Sequence, residues 1–154
     1  MDLSVIVPLY TEEECITLLY DAIVKSVDTM GVADEILFVD DGSKYETVPI
    51  ASALAAKDKR LRVVKFRRNY GQTPAMAAGI DNANGKILVT MDGDLQNDPD
   101  DIPMLVRKID EGYYNQLLPW CKKYFSYSPG DDRIVWGGVR KYYKINLPDY
   151  YFKL

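Results

Sequence analysis

Asp92-Gly93-Asp94 carries the plainest chemistry in the chain. Two carboxylates at i and i+2, just past an apolar run, can turn toward one cation when a small residue separates them. Hard oxygens suit Mg2+ or Mn2+, and such an ion keeps open positions for phosphate oxygens. Gln96, two residues on, is a further oxygen donor. An acidic helix cap is the competing explanation, but Asp98 already stands in the capping position. A calcium loop of the EF-hand kind fits badly, because the sixth position from Asp92 is Asn97 rather than Gly and the twelfth is Pro103 rather than Glu.

Asp40 and Asp41 are adjacent and are followed by Gly42 and Ser43. Neighbouring carboxylates repel, so they need donors. A nucleobase imide or a ribose hydroxyl supplies them, and an Asx-type turn is the bland alternative. Arg67, Arg68, Asn69, Gly71 and Gln72 make a locally cationic loop. Guanidinium groups grip phosphate oxygens bidentately, and a helix opening at Thr73 aims its first amides the same way. Pro8, Tyr10 and Glu12 follow the first apolar run; a tyrosine beside an acidic helix start is ordinarily packing plus a favourable dipole interaction.

The elements that must position these groups are short. The chain has 154 residues and 47% hydrophobic content, the size of one compact domain. Strands are expected at Leu3–Pro8, Glu35–Asp40, Leu61–Phe66 and Lys86–Met91. Helices are expected from the stripe Ile16, Leu19, Tyr20, Ile23, Val24 and Val27, over Thr47–Lys57, from Thr73 onward, and through Ile102, Leu105, Val106 and Ile109. Thr11 with Glu14 has capping-box spacing, and Thr73-Pro74 reads as an N-cap followed by proline at the first helical position. Alternation of this length implies an α/β, Rossmann-like fold: a mostly parallel sheet with helices on both faces. Every polar cluster above then falls at the carboxyl end of a strand, the edge where such sheets bind ligands.

Composition removes several classes of function. There is no histidine, so Ser-His and Cys-His schemes and His-ligated zinc drop out, and any general base must be a carboxylate. The net charge is −4 with no basic block, which argues against nucleic acid. Cys15 and Cys121 read as free thiols in a reducing compartment. The start of the chain lacks a basic leader, and no apolar stretch reaches the ~18 residues of a membrane span, so a soluble cytoplasmic protein is expected. Residues 113–154 hold eight of the twelve tyrosines and both tryptophans and show one short strand, around Arg133–Trp136. The chain therefore divides into a core at 1–112 and a divergent tail at 113–154.

Taken together, VIVPLYTEEE, FVDDGS, FRRNYGQTPAMAAGIDNANG and VTMDGDLQNDP resemble the family 2 glycosyltransferases, and within them the polyprenyl-phosphate (dolichol-phosphate) mannosyl- and glucosyltransferases. The resemblance covers about residues 2 to 112. It implies a GT-A fold, a UDP- or GDP-sugar donor, Mg2+ or Mn2+, inversion at the anomeric carbon and a polyprenyl-phosphate acceptor at the cytoplasmic membrane face. It places Pro8, Tyr10, Glu12, Asp40 and Asp41 at the nucleoside, with Arg68, Asn69, Gly71 and Gln72 near the ribose and phosphates. It gives Asp92, Asp94 and Gln96 to the metal.

The family usually has Asn where this chain has Thr11, and a small residue where it has Arg67. The tail departs from the family altogether and reads as a truncated or frame-altered remnant. It leaves the catalytic base unassigned, with Asp131, Asp132 and Asp149 as nominal candidates, and its missing sheet edge suggests a homo-oligomer. The rival readings are a catalytically silent nucleotide-sugar module and a phosphatase, which would want Thr or Val where Gln96 stands.

Overall fold

A computed structural model describes residues 1–110, together with the main chain of residues 134–136 and 151–153. Four parallel strands form its centre: β1 (Leu3–Leu9), β2 (Asp34–Asp40), β3 (Leu61–Phe66) and β4 (Ile87–Thr90). Two short strands flank them, β5 (Ile134–Trp136) parallel to β4 and β6 (Tyr151–Lys153) antiparallel to β3. The order is β5-β4-β1-β2-β3-β6. Segments of the same chain thus pair with both edges of the central four-stranded sheet. β5 is the strand expected near Arg133–Trp136, whereas β6 has no counterpart in the sequence reading.

The central strands are near-continuous apolar runs because both of their faces are covered. Leu3, Val5, Val7 and Leu9 of β1 point to one face, where they pack with Ile16, Leu19 and Ile23 of α1 (Ile16–Asp28). Ala51 of α2 (Thr47–Ala55) and Ile102 and Val106 near the C-terminal end of the described chain join the same cluster. The opposite face carries Ile6, Leu37, Val39 and Leu88 beneath Ala75 and Ala78 of α3 (Gln72–Asn82). Ile102 and Val106 belong to α4 (Ile102–Lys108), which follows a 3-10 turn at Pro99–Asp101 capped by Asp98, whose Oδ1 accepts the Asp100 N–H at 3.0 Å. No helix among the described residues is long and apolar enough to cross a membrane.

Two expected caps are not there. α1 begins after Cys15 without a side-chain cap, and Thr11 lies outside it in a left-handed conformation, φ 61°. α3 is capped by Gly71 rather than Thr73, which puts Pro74 at the third helical position instead of the first. In both places the local spacing was right for a cap, but partners from other strands hold the chain differently.

The amino edge of the sheet is stitched by a buried carboxylate. Glu35 accepts from Ser4 Oγ at 2.7 Å, Arg62 Nη1 at 2.8 Å and Asn84 Nδ2 at 3.0 Å, and also from the Asn84 main chain. Burial alone would raise its pKa, but these donors outweigh it and hold the group below the usual carboxylate range. A lowered folded-state value means that Glu35 stabilises the fold above the unfolded value of 4.5, and that this contribution disappears as pH falls through the folded value. Replacing Glu35 with Ala should cost about 3 kcal/mol at neutral pH, because Arg62 loses its partner and buried donors are orphaned. In urea titrations, Glu35→Gln should also lose stability less steeply between about pH 5 and 3 than the parent does.

Candidate functional site

The strand order reverses between β1 and β4, since β2 and β3 lie on one side of β1 while the chain returns through α3 to place β4 on the other. Ligands of open parallel sheets bind beyond the carboxyl ends at such a point. An open cleft of about 440 Å³ lies there, lined by Pro8, Leu9, Tyr10 and Glu12 after β1, Asp41 after β2, Asn69, Gly71 and Gln72 after β3, and Asp92, Gly93 and Asp94 after β4. Four separate sequence segments converge on it. Three of the four contribute carboxylates, four in all, and none of the described lining residues is basic.

Each segment is fixed by bonds to another. The Thr11 N–H donates to Ser43 Oγ at 2.9 Å, and the Glu12 N–H to Thr47 Oγ1 at 3.2 Å. Thr47 in turn donates to Glu13 at 3.1 Å, so the start of α2 holds the loop after β1. Asp41 is buried and accepts the N–H groups of Tyr70 at 2.7 Å and Gly71 at 2.8 Å, one on each oxygen. Gln72 Nε2 donates to Asp92 Oδ1 at 2.8 Å, linking the start of α3 to the end of β4.

Glycines allow the close approaches this requires. Gly42 has φ 74°, and a Cβ there would overlap the main chain of Arg68 and sit 2.5 Å from the Asn69 nitrogen. A Cβ on Gly93 would meet Leu9 Cδ2 at 2.8 Å and the Pro8 carbonyl oxygen at 3.0 Å.

The twin acids at the end of β2 separate into two roles. Asp41 lines the cleft, whereas Asp40 is buried outside the lining and accepts the Ser43 N–H at 3.1 Å. Burial raises both carboxyls above the ordinary aspartate value despite these donors. Glu12 is raised first by burial, then by the negative charges of Asp94 and Glu13.

Two other residues expected at the site lie outside the lining. Arg68 is exposed, with its guanidinium carbon 4.9 Å from the centroid of the Tyr70 ring. Gln96 is exposed, and its main-chain N–H donates to Asp94 Oδ1 at 3.1 Å. Asp131, Asp132 and Asp149 lie outside the described residues. Ser43 and Thr47 were missed, although a serine in a DGS turn and a threonine opening a helix are both natural donors to a neighbouring loop.

The donor set can be tested against a divalent ion. Asp92 and Asp94 each commit Oδ1 to a protein N–H and accept nothing on Oδ2 from the described residues. No three Asp, Glu, Cys or His groups among the described residues converge closely enough to chelate an ion unaided. Two carboxylates with an oxygen each to spare suit Mg2+ or Mn2+, which complete their coordination with substrate oxygens. The residues fit.

With the geometry in view, comparison with known proteins is informative. Residues 4–150 match the family model described as glycosyl transferase family 2. Dodecaprenyl-phosphate galacturonate synthase of Rhizobium johnstonii is 39% identical over 123 residues, 79% of this chain and 36% of that protein. Undecaprenyl-phosphate 4-deoxy-4-formamido-L-arabinose transferase of Shewanella sediminis is 39% identical over 111 residues, 71% of this chain and 34% of that protein. This chain therefore spans about a third of the length of these curated relatives. Among solved structures, S. aureus TarS 1-349 in complex with UDP-GlcNAc superposes with a TM-score of 0.61 at 27% identity, covering 72% of this chain and 32% of that one.

Two of the positive-φ loop positions beside the cleft make opposite predictions. Gly42→Ala should destabilise by about 3 kcal/mol, since the new Cβ meets main chain that cannot give way and the left-handed backbone disfavours any side chain. Thr11→Asn should raise stability by about 1 kcal/mol in thermal or urea unfolding, because Asn tolerates the left-handed region and a β-branched residue does not.

Proposed function

The chain belongs to glycosyl transferase family 2, and from that premise we propose that it transfers a sugar from a UDP- or GDP-sugar to a polyprenyl phosphate, with inversion and with Mg2+ or Mn2+. The observation that carries this reading is the charge of the cleft. A nucleoside diphosphate is an anion, and a cleft lined by Glu12, Asp41, Asp92 and Asp94, with no basic side chain among its described lining residues, disfavours it. A bridging cation would reconcile the two and strengthen binding.

The relatives' names supply the acceptor class, since both act on polyprenyl phosphates by name, and the TarS complex supplies a uridine diphosphate sugar as the donor of a structural neighbour. An acceptor of that kind is met at a membrane surface, which fits the cytoplasmic membrane face that the family resemblance implies.

In this reading the donor site lies wholly within residues 1–112. Pro8, Tyr10, Glu12 and Asp41 face the nucleoside, and Asn69, Gly71 and Gln72 lie beside the ribose and phosphates. Asp92 and Asp94 hold the ion, and Gln96 and Arg68 stand at the margin. When bound, the ion supplies charge neutralisation for the departing diphosphate. The chain's own residues do the rest. Asp41 fixes the loop after β3, Gln72 orients Asp92, and the loop after β1 closes the nucleoside side of the cleft. The base that takes the acceptor proton is not assigned by this donor set.

Calorimetry provides the test. UDP- or GDP-sugar should bind in a Mn2+-dependent manner, and the Asp92→Ala/Asp94→Ala double variant should lose at least about tenfold in that affinity. Release of free UDP or GDP on adding polyprenyl phosphate would establish transfer. Equal affinity with and without Mn2+ for every sugar nucleotide would overturn the reading.

A further inference from the structure

Asp92 is held from two directions. Its carboxylate takes the Gln72 amide at 2.8 Å, and its own main-chain N–H donates to Asn97 Oδ1 at 2.7 Å. The second bond reaches back five residues and closes the loop that carries both aspartates. Inside that loop Leu95 adopts a left-handed backbone, φ 64°, and the Gln96 N–H turns onto Asp94 Oδ1. Asn97 itself is exposed and caps no helix, since Asp98 caps the turn that follows. Its side chain therefore serves the loop alone.

We infer that Asn97 is a positioning residue for the cation site: by closing the 92–97 loop it fixes the main chain of Asp92, so that the oxygens left uncommitted on Asp92 and Asp94 are offered to one ion. The inference rests on the donor-site reading given above and extends it to a residue that touches neither ion nor substrate. An open loop binds the ion poorly, so apparent affinity scales with the fraction of time the loop is closed. Outer partners of metal ligands typically account for 10- to 100-fold in affinity, and an exposed bond such as this one belongs at the lower end, about tenfold.

The test uses the full chain, with Mn2+ followed by electron paramagnetic resonance in the presence of UDP, and UDP affinity measured separately with chelator. Asn97→Ala should bind Mn2+ about tenfold more weakly, with its metal-free UDP affinity and thermal midpoint close to the parent's. Asn97→Asp keeps an acceptor oxygen in the same place and should restore the parental Mn2+ affinity. A purely structural role would weaken both UDP measurements together. Parental Mn2+ affinity in Asn97→Ala overturns the inference while leaving the donor site standing, and so does a loss in Asn97→Asp as large as in Asn97→Ala. If the parent shows no Mn2+-dependent UDP binding, the donor-site reading falls and this inference with it.

Discussion

The two oxygens of Asp41 accept the main-chain N–H groups of Tyr70 and Gly71, and the carboxyl edge of the sheet depends on that bond pair. It ties the end of β2 to the loop after β3 and sets the point at which α3 begins. Gly71, with φ 97°, caps α3, and the first residue of the helix, Gln72, then reaches Asp92 after β4. Gly42 makes the pairing feasible by letting the β2 turn lie directly against the main chain of Arg68 and Asn69. An asparagine at 41 could accept only one of the two N–H groups, because its amide nitrogen would face the other.

Carboxylates that meet arginine and carboxylates that meet only N–H groups or other acids are concentrated at different ends of the sheet. At the amino edge, Glu35 and Asp58 meet Arg62 and Arg60 and are held below their ordinary values, while Asp34, also beside Arg60, is raised by burial. At the carboxyl edge, Glu12, Asp40 and Asp41 are raised, chiefly by burial, and their partners are N–H groups or other acids. Raised carboxyls contribute stability that is fully present below the unfolded value and is lost as pH rises through the folded one. At neutral pH Glu35 and Asp58 therefore stabilise the fold, while Glu12, Asp40 and Asp41 hold negative charge at a cost. In the proposed function, a cation held by Asp92 and Asp94 would offset part of that cost for the cleft-lining Glu12 and Asp41. That is the familiar division between a scaffold and a functional site.

How much of this was legible in the sequence depends on the range of the interaction concerned. β3 falls where its apolar run placed it and the other central strands agree to within two residues, because a buried parallel strand announces itself locally. The caps at Thr11 and Thr73 failed because spacing reports only what a residue could do for its own helix. Ser43 and Gly71 decided those positions from elsewhere. The twin acids show a subtler limit. Adjacent residues at a strand end point to opposite sides, so Asp40 and Asp41 could not both enter one cleft, and that much was available from the two-residue period. Which of the two entered was not. Gln96 was placed by counting from Asp92, but the left-handed turn at Leu95 breaks the alternation that such counting assumes. Asn97, read only as a departure from a calcium loop, closes the loop that carries both aspartates.

The small residues of α3 follow from the same geometry. β3 and β4 are three strand steps apart, roughly 14 Å at the usual spacing, yet a side chain at the start of the helix after β3 touches the loop after β4. That reach requires α3 to lie low across the middle of the sheet. Ala75 and Ala78 pack onto it with almost no exposed surface, and a Cβ on Gly79 would collide with Ile6 Cγ2 of β1. A larger residue at any of these positions lifts the helix away from β1 and draws Gln72 back from Asp92. The AMAAGI run, which reads in isolation as a bland helix with weak amphipathicity, is therefore what allows an amide from one side of the fold to orient a carboxylate on the other.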